Sequence, residues 1–151
     1  MSKPGRQRIG IAVVIRQSSV LVGERPASAP LPGMAEFPGG KCESGELPRA
    51  CAVRECQEET GIVVEPQSQL TTIDWDYDHG SVELHFWLCR PGADLPEDVP
   101  LQAPFRWVPI SELQTLRFPE ANAAVIELLQ QQIADPEADP DADPDADGAV
   151  L

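Results

Sequence analysis

Basic residues are scarce in this chain. Lys and Arg number 11 against 25 Asp and Glu, so the formal net charge is −14. Neutralisation of phosphates by Lys and Arg supplies most of the affinity of proteins for nucleic-acid backbones. We therefore expect no nucleic-acid polymer among its partners. A small anion can bind if a metal cation bridges it to the protein.

Long hydrophobic runs are also missing. No apolar stretch approaches the roughly 20 residues that a membrane-spanning helix needs. The basic segment Met1 to Arg8 is followed by a short apolar stretch, Ile9 to Ile15, without a small-residue cleavage site. This pattern is untypical of a secretory signal. We therefore expect a cytoplasmic protein with no membrane partner.

Paired cysteine motifs are absent. The four cysteines, Cys42, Cys51, Cys56 and Cys89, form no CxxC pair and show no zinc-like spacing with histidine. Free thiols are the expectation in a reducing compartment. We interpret all four as small and largely buried hydrophobic residues.

The composition predicts one globular domain followed by an acidic tail. The 151 residues are 42% hydrophobic and 24% charged, which is typical of a single folded core. Residues 134–151 repeat the pattern Asp-Pro-x-Ala-Asp, and their low hydrophobicity and uncompensated charge predict disorder. The predicted organisation is a flexible N-terminus over residues 1–7, a domain over residues 8–133 and the disordered tail.

The clearest secondary-structure signals are one strand and one helix. The β-branched, apolar run from Arg8 to Arg16 predicts a strand that is covered on both faces. A helix is predicted over residues 47–60, because Pro48 stands near its first turn and Gly61 just past its end.

Weaker patterns complete the expected sheet. Two strand-like runs, residues 70–77 and 81–89, flank Asp78-His79-Gly80 and predict a β-hairpin. After Pro119, apolar residues at helical spacing predict a final helix. Shorter extended segments are predicted over residues 20–24, 35–37 and 106–108.

A glutamate-rich part of the predicted helix carries the chemistry. Glu58 and Glu59 lie within about 60° of Glu55 around a helix axis, so three carboxylates share one stripe. Such a stripe is either a solvated face or a cation site, and few carboxylates plus waters and substrate phosphates suit Mg²⁺. The preceding Pro38-Gly39-Gly40 favours the cation site, because glycine lets backbone approach a ligand closely. Arg54 can pair with Glu58 or with the loop that enters the helix.

The spacing of this segment resembles the Nudix hydrolase box, G-x5-E-x7-R-E-U-x-E-E-x-G-U, in which U is a bulky aliphatic residue. One position departs, where Cys56 replaces an aliphatic residue, and we expect this small hydrophobe to alter packing rather than metal binding. The matching residues are Gly40, Glu46, Arg54, Glu55, Glu58, Glu59, Gly61 and Ile62.

The resemblance implies a fold and a reaction type. The fold is a Nudix-type α/β/α sandwich, an α/β single domain with a mixed sheet, and the reaction is hydrolysis of a nucleoside diphosphate linked to another moiety. Mg²⁺ is the implied cofactor, with Mn²⁺ as a substitute. Glu46 and Arg54 are implied to hold the loop and the helix in place. The implied metal ligands are Glu55, Glu58, Glu59 and the Gly39 carbonyl.

Segments outside the box resemble the MutT-type branch of the family, which removes oxidised nucleotides such as 8-oxo-dGTP. They are residues 36–41, 84–88 and 118–126. A matching Asn in that branch reads the base, which indicates Asn122 here. Oxidation of guanine at C8 places a proton on N7, so this edge becomes donor plus acceptor, and an Asn amide is able to pair with both.

Other positions stay open at the level of sequence. Arg25 matches a phosphate- or sugar-contacting position but is equally compatible with an ordinary surface residue. Phe37 either offers its backbone to the base or packs in the core. The branch carries a Glu before the strand at Arg106, where this chain has Leu101. The candidates for the general base are therefore Glu58, Glu59, Glu97 and Asp98.

These inferences predict a Mg²⁺-dependent nucleoside triphosphate pyrophosphohydrolase that converts 8-oxo-dGTP into 8-oxo-dGMP and pyrophosphate. The alternatives are a Nudix hydrolase of another nucleotide, such as CTP, a methylated pyrimidine nucleotide or ADP-ribose, and a catalytically silent nucleotide-binding module. The expected partner is a small-molecule nucleotide, and the sequence is compatible with a monomer and with a homodimer.

Overall fold

A mixed β-sheet forms the centre of the computed structural model, which describes residues 6–28, 33–77 and 80–134. The main path of the sheet has the order β3-β2-β1-β6-β5, with β4 beside β1 and β7 beside β2. β1 and β6 are parallel, and the other pairs are antiparallel. The strands are β1 (Gln7–Arg16), β2 (Ser19–Glu24), β3 (Ala35–Glu36), β4 (Gly39–Lys41), β5 (Val64–Tyr77), β6 (Gly80–Pro91) and β7 (Arg106–Pro109).

Two α-helices accompany the sheet in the described residues, α1 (Pro48–Thr60) and α2 (Ala123–Ala134). α1 starts with proline, whose missing N–H is not needed in the first turn. It ends at Gly61, whose φ of 88° lies in the left-handed region and whose N–H donates to the Gln57 carbonyl at 2.9 Å. Two short 3₁₀ helices cover Ile110–Thr115 and Glu120–Asn122. None of the described helices could span a membrane.

β1 is buried on both faces because each face of the sheet packs against a different helix. Successive strand residues point to opposite faces. Ile11 lies in a buried cluster with Val125 and Leu129 of α2. Its neighbour Ala12 lies in a second cluster with Cys56 of α1. The α/β/α sandwich with a mixed sheet is thereby confirmed.

Close packing of α1 on β1 depends on a residue without a side chain. A Cβ at Gly10 would lie 2.6 Å from the Pro48 carbonyl oxygen and 2.8 Å from Cys51 Cβ. Such distances are far below van der Waals contact, so α1 would have to move away from the sheet. The cysteines agree with expectation, since all four are free and all but the half-buried Cys42 are buried.

Several limits differ from the sequence prediction. β1 begins at Gln7, within the segment 1–7 that was expected to be flexible, and Gln7 pairs with Val82 of β6. β5 begins at Val64, six residues earlier than expected, and both β4 and the 3₁₀ helix after β7 were not predicted. Residues 1–5, the Asp78-His79 turn and the tail over residues 135–151 lie outside the described residues, so the domain limits 8–133 stay a prediction.

Candidate active site

The backbone of β4 runs directly against two carboxylates of α1. The Gly39 N–H donates to Glu59 Oε1 at 2.8 Å. A Cβ at Gly40 would overlap the carboxylate of Glu55. Gly40 therefore allows the strand to approach the helix at the place where the acidic stripe lies, whereas a Cβ at Gly39 would clash with Gly10 of β1. Glu58, the third member of the stripe, is more open, with 58% of its side chain exposed.

A bidentate ion pair joins the loop before α1 to the helix. Arg54 Nε donates to Glu46 Oε2 at 2.8 Å, and Nη2 donates to Oε1 at 2.9 Å. These hydrogen bonds lower the pKa of Glu46 to about 2. Arg54 also donates to the Lys41 carbonyl at 3.2 Å and, through Nη1, to Glu58 Oε1 at 3.2 Å. One guanidinium thus holds the end of β4, the loop and a carboxylate of the stripe.

Burial, together with neighbouring negative charge, raises the pKa of two of the stripe carboxylates, Glu59 and Glu55. Burial raises the pKa of Glu59 to about 7, although its hydrogen bond from Gly39 opposes the shift, and the charges of Glu55 and Glu36 add to it. Burial also raises the pKa of Glu55, with the charge of Arg54 acting in the opposite direction. A cation at this place would relieve both effects.

The donor set fits a hard divalent cation. Glu55, Glu58 and Glu59 offer only oxygen ligands, which Mg²⁺ and Mn²⁺ accept. Within the described residues, no three Asp, Glu, His or Cys side chains are already gathered around one point as a metal site. Glu58 is held by Arg54 and Glu59, through Oε1, by the Gly39 N–H, so these contacts orient both carboxylates before an ion binds.

Arg25 and Phe37 stand on the β2–β3 side of the box. Arg25 Nε lies 3.3 Å from Glu36 Oε1, next to the strand that leads to Gly39. The Phe37 side chain is only 6% exposed, and its ring lies 5.1 Å from the ring of Phe118. The ring therefore packs in the core, and only the backbone of Phe37 is left to contact a base.

Asn122 ends the second 3₁₀ helix and immediately precedes α2, rather than lying within the first turn of the final helix. Its side chain is half-buried, and its amide forms no hydrogen bond with another residue in the described part of the chain. The segment is tied to β3, since the Ala35 N–H donates to the Arg117 carbonyl at 2.7 Å and Phe118 packs on Phe37. The amide is therefore available to a ligand.

The candidate bases lie on two parts of the structure, helix α1 and the loop between β6 and β7. Glu97 and Asp98 are exposed on the loop between β6 and β7. Leu101 packs against the core on the α1 side. Glu58 and Glu59 are the two candidates that lie on the stripe.

Sequence reasoning missed three residues that contact or influence the box. Arg8 Nη2 donates to the Glu46 carbonyl at 2.8 Å, and Gln102 bonds to the last turn of α1. Glu36 raises the pKa of Glu59. Only Glu36 had a sequence signal, because it opens the MutT-like segment EFPGGK. Arg8 and Gln102 lie far from the box in sequence, in segments without a motif.

Comparison with known proteins agrees with this geometry. A family model described as a NUDIX domain matches residues 10–128. The chain belongs to the Nudix family. Nudix hydrolases act on nucleotides and generally use divalent metals, and the prediction of an enzyme is confirmed.

The relatives of this Nudix hydrolase include 8-oxo-dGTP diphosphatases and hydrolases of other nucleotides. The chain is 31% identical over 125 residues to the 8-oxo-dGTP diphosphatase of Escherichia coli (strain K12), which covers 82% of this chain and 96% of that protein. The CTP pyrophosphohydrolase of the same organism is 33% identical over 76 residues, covering 50% and 56%. A solved structure from a study of MutT from Aliivibrio salmonicida and Vibrio cholerae is 29% identical, with a TM-score of 0.59, covering 82% and 95%.

Proposed function

We propose that this Nudix hydrolase cleaves 8-oxo-dGTP into 8-oxo-dGMP and pyrophosphate, with Mg²⁺ as its metal and Mn²⁺ as a substitute. The observation that carries the proposal is the placement of Asn122. Its amide has no partner among the described residues, and its segment is tied to β3, which leads within three residues to Gly39 against the acidic stripe. The similarity to the 8-oxo-dGTP diphosphatase of E. coli supports the same substrate.

The phosphates belong at the acidic stripe. Glu55, Glu58 and Glu59 would hold the ion, with the Gly39 carbonyl as a further ligand. A bound divalent ion neutralises phosphate charge and lowers the pKa of a bound water. Arg54, held by Glu46, orients Glu58 through its hydrogen bond, and Arg25 offers a positive charge to the phosphates or the sugar on the β2–β3 side.

The general base is a member of the stripe. Glu58 and Glu59 lie on the stripe that would hold the ion and the phosphates, whereas Glu97 and Asp98 are exposed on the loop between β6 and β7. We therefore assign the base to Glu58 or Glu59, which would accept the proton of the attacking water on a carboxylate oxygen that does not bind the ion.

Asn122 supplies base selectivity. Its carbonyl accepts from the protonated N7 of the oxidised base and its NH₂ donates to O6, whereas plain guanine sets the carbonyl against the N7 lone pair. An unpaired buried polar group costs about 1–3 kcal/mol. Sites that read hydrogen bonds in this way discriminate better than apolar pockets.

A substrate panel with Mg²⁺ tests the proposal. We expect the highest kcat/KM for 8-oxo-dGTP among 8-oxo-dGTP, dGTP, CTP, a methylated pyrimidine nucleotide and ADP-ribose, with release of the monophosphate and pyrophosphate. Equal kcat/KM for 8-oxo-dGTP and dGTP would contradict the assigned substrate.

CTP is the second candidate, because the chain is also similar to a CTP pyrophosphohydrolase over half of its length. Cytosine offers no counterpart of the N7–O6 edge, so Asn122 would not read it in the way described above. A higher kcat/KM for CTP than for 8-oxo-dGTP would favour this candidate.

A further inference from the structure

Gln102 joins the loop between β6 and β7 to the last turn of α1. Its backbone N–H donates to the Thr60 carbonyl at 3.0 Å, and its side-chain Nε2 donates to the Glu58 carbonyl at 3.1 Å. The last four carbonyls of an α-helix lack a partner within the helix. Gly61 satisfies the Gln57 carbonyl, and Gln102 satisfies two of the other three.

The loop presents Gln102 in a defined position. The Phe105 N–H donates to the Gln102 carbonyl at 3.0 Å, and the Gly92 N–H fixes the start of the loop to the Val63 carbonyl at 2.9 Å. Leu101, the preceding residue, packs against the core on the α1 side. The side-chain amide therefore reaches the helix from a turn that is held on both sides.

Glu58 accepts hydrogen bonds through both its side chain and its backbone carbonyl. Arg54 Nη1 donates to the carboxylate at 3.2 Å, while Gln102 Nε2 donates to the backbone carbonyl of the same residue. The side chain of Glu58 is 58% exposed, so burial contributes little to its position. The backbone bond from Gln102 is therefore one of the contacts that fix the last turn of α1, from which the side chains of Glu58 and Glu59 extend.

We propose that Gln102 is a positioning residue of the metal site, which orients the last turn of α1 so that Glu58 and Glu59 are ready to ligate the ion. The inference rests on the proposed function in one respect, that the stripe carboxylates bind the metal. An amide suits this task because it donates to a carbonyl without adding charge. A lysine here would oppose a cation, and a glutamate would repel the carbonyl.

The test measures metal binding by the full chain without nucleotide. Gln102→Met and Gln102→Ala both remove the side-chain donor and keep the backbone bond to Thr60. Gln131→Met is the matched control, because Gln131 is an exposed glutamine whose Nε2 contacts only Glu127 of its own helix among the described residues. Binding of Mn²⁺ is followed by electron paramagnetic resonance, and amide hydrogen exchange is followed across α1.

We expect Mn²⁺ to bind about three- to tenfold more weakly to both Gln102 variants, less than the loss on removing a direct partner of a ligand side chain. Amides in the last turn of α1 should exchange faster in both, and the control should match the wild type. Unchanged Mn²⁺ affinity in the two folded variants would overturn the inference, even with a lower Tm, because the bond would then be merely structural. If both variants bind Mn²⁺ more weakly but the wild-type enzyme shows no preference for 8-oxo-dGTP, the inference about Gln102 holds and the proposed substrate is wrong.

Discussion

Both carboxylate oxygens of Glu46 accept hydrogen bonds from Arg54, at 2.8 and 2.9 Å. This pair fastens the loop before α1 to the middle of the helix, and Arg8 adds a hydrogen bond to the Glu46 carbonyl. Bidentate pairs of this kind are among the stronger polar contacts in proteins. The helix that carries the acidic stripe is therefore anchored independently of any metal.

Glu46→Gln should lower the free energy of unfolding by about 1–3 kcal/mol near neutral pH, because a hydrogen-bonded charge is lost. The folded pKa of Glu46, about 2, lies below the ordinary value of 4.5. Its stabilisation is therefore complete above pH 4.5 and lost as the pH falls towards 2. Urea unfolding near pH 7 and near pH 3 measures this effect.

The difference in stability between wild type and Glu46→Gln should shrink on acidification. Glu65→Gln serves as a control, since Glu65 is exposed on β5 and has no ion pair with another described residue. A difference of the same size at both pH values would show that the charge of Glu46 contributes nothing.

Glu59→Gln should stabilise the metal-free protein at alkaline pH. The pKa of Glu59 in the folded protein, about 7, lies above its ordinary value of 4.5. The folded protein therefore loses stability as the pH rises from 4.5 to about 7, because Glu59 ionises less readily in the folded than in the unfolded chain. The amide keeps an acceptor for the Gly39 N–H. Glu59 is partly exposed, so after solvent screening we expect a gain of about 1–2 kcal/mol near pH 8 and none near pH 4.

Thermal unfolding with a chelator and with Mg²⁺ checks this prediction. Addition of Mg²⁺ should raise the Tm of the wild type and have a smaller effect on Glu59→Gln, because a ligand has been removed. A lower Tm for the variant in chelator near pH 8 would contradict the assigned burial of the charge.

Glu55→Gln and Glu58→Gln should each lower kcat by on the order of 10³-fold, since a metal ion supplies several kcal/mol of transition-state stabilisation. Turnover of 8-oxo-dGTP with Mg²⁺ is measured together with circular dichroism melting. Glu127→Gln on the exposed face of α2 is the control. Near-normal turnover in both folded variants would be incompatible with the metal site.

Asn122→Ala should reduce the preference for 8-oxo-dGTP over dGTP by about tenfold, because an amide that distinguishes the two edges is worth about 1–3 kcal/mol. Its Tm should change little, as the amide has no hydrogen bond to another described residue. The ratio of the two kcat/KM values is the measurement. An unchanged ratio would remove Asn122 from base recognition.

The parts of the fold that have a local sequence signal were predictable from the sequence. Pro48 and Gly61 bound α1 to within one residue, because each has a backbone property that suits one end of a helix. The sequence predicts that β1 is buried on both faces because every residue from Ile9 to Ile15 is apolar or glycine. This prediction does not depend on which helix covers each face. The box spacing was sufficient to place the carboxylates on one stripe.

Other parts depend on contacts that a local pattern does not contain. The first half of β5, around Pro66, has no alternation, and it joins the sheet at an edge with irregular register against β6. β4 consists largely of glycine and therefore shows no side-chain pattern. Gln102 is an isolated polar residue in a loop, and its contact with Glu58 exists only after the chain has folded.

The sheet separates two buried clusters, one with α1 and one with α2. Cys56 of α1 belongs to the first cluster. Ala121 belongs to the second cluster and Phe118 packs against it, and both residues lie shortly before Asn122. The helix that carries the acidic stripe and the segment proposed to read the base are thus packed in different buried clusters. Residues 117–122 could be replaced by the corresponding segment of a relative to redirect the proposed selectivity, with the packing beneath α1 unchanged. Such exchange would make the fold modular for evolution and for engineering.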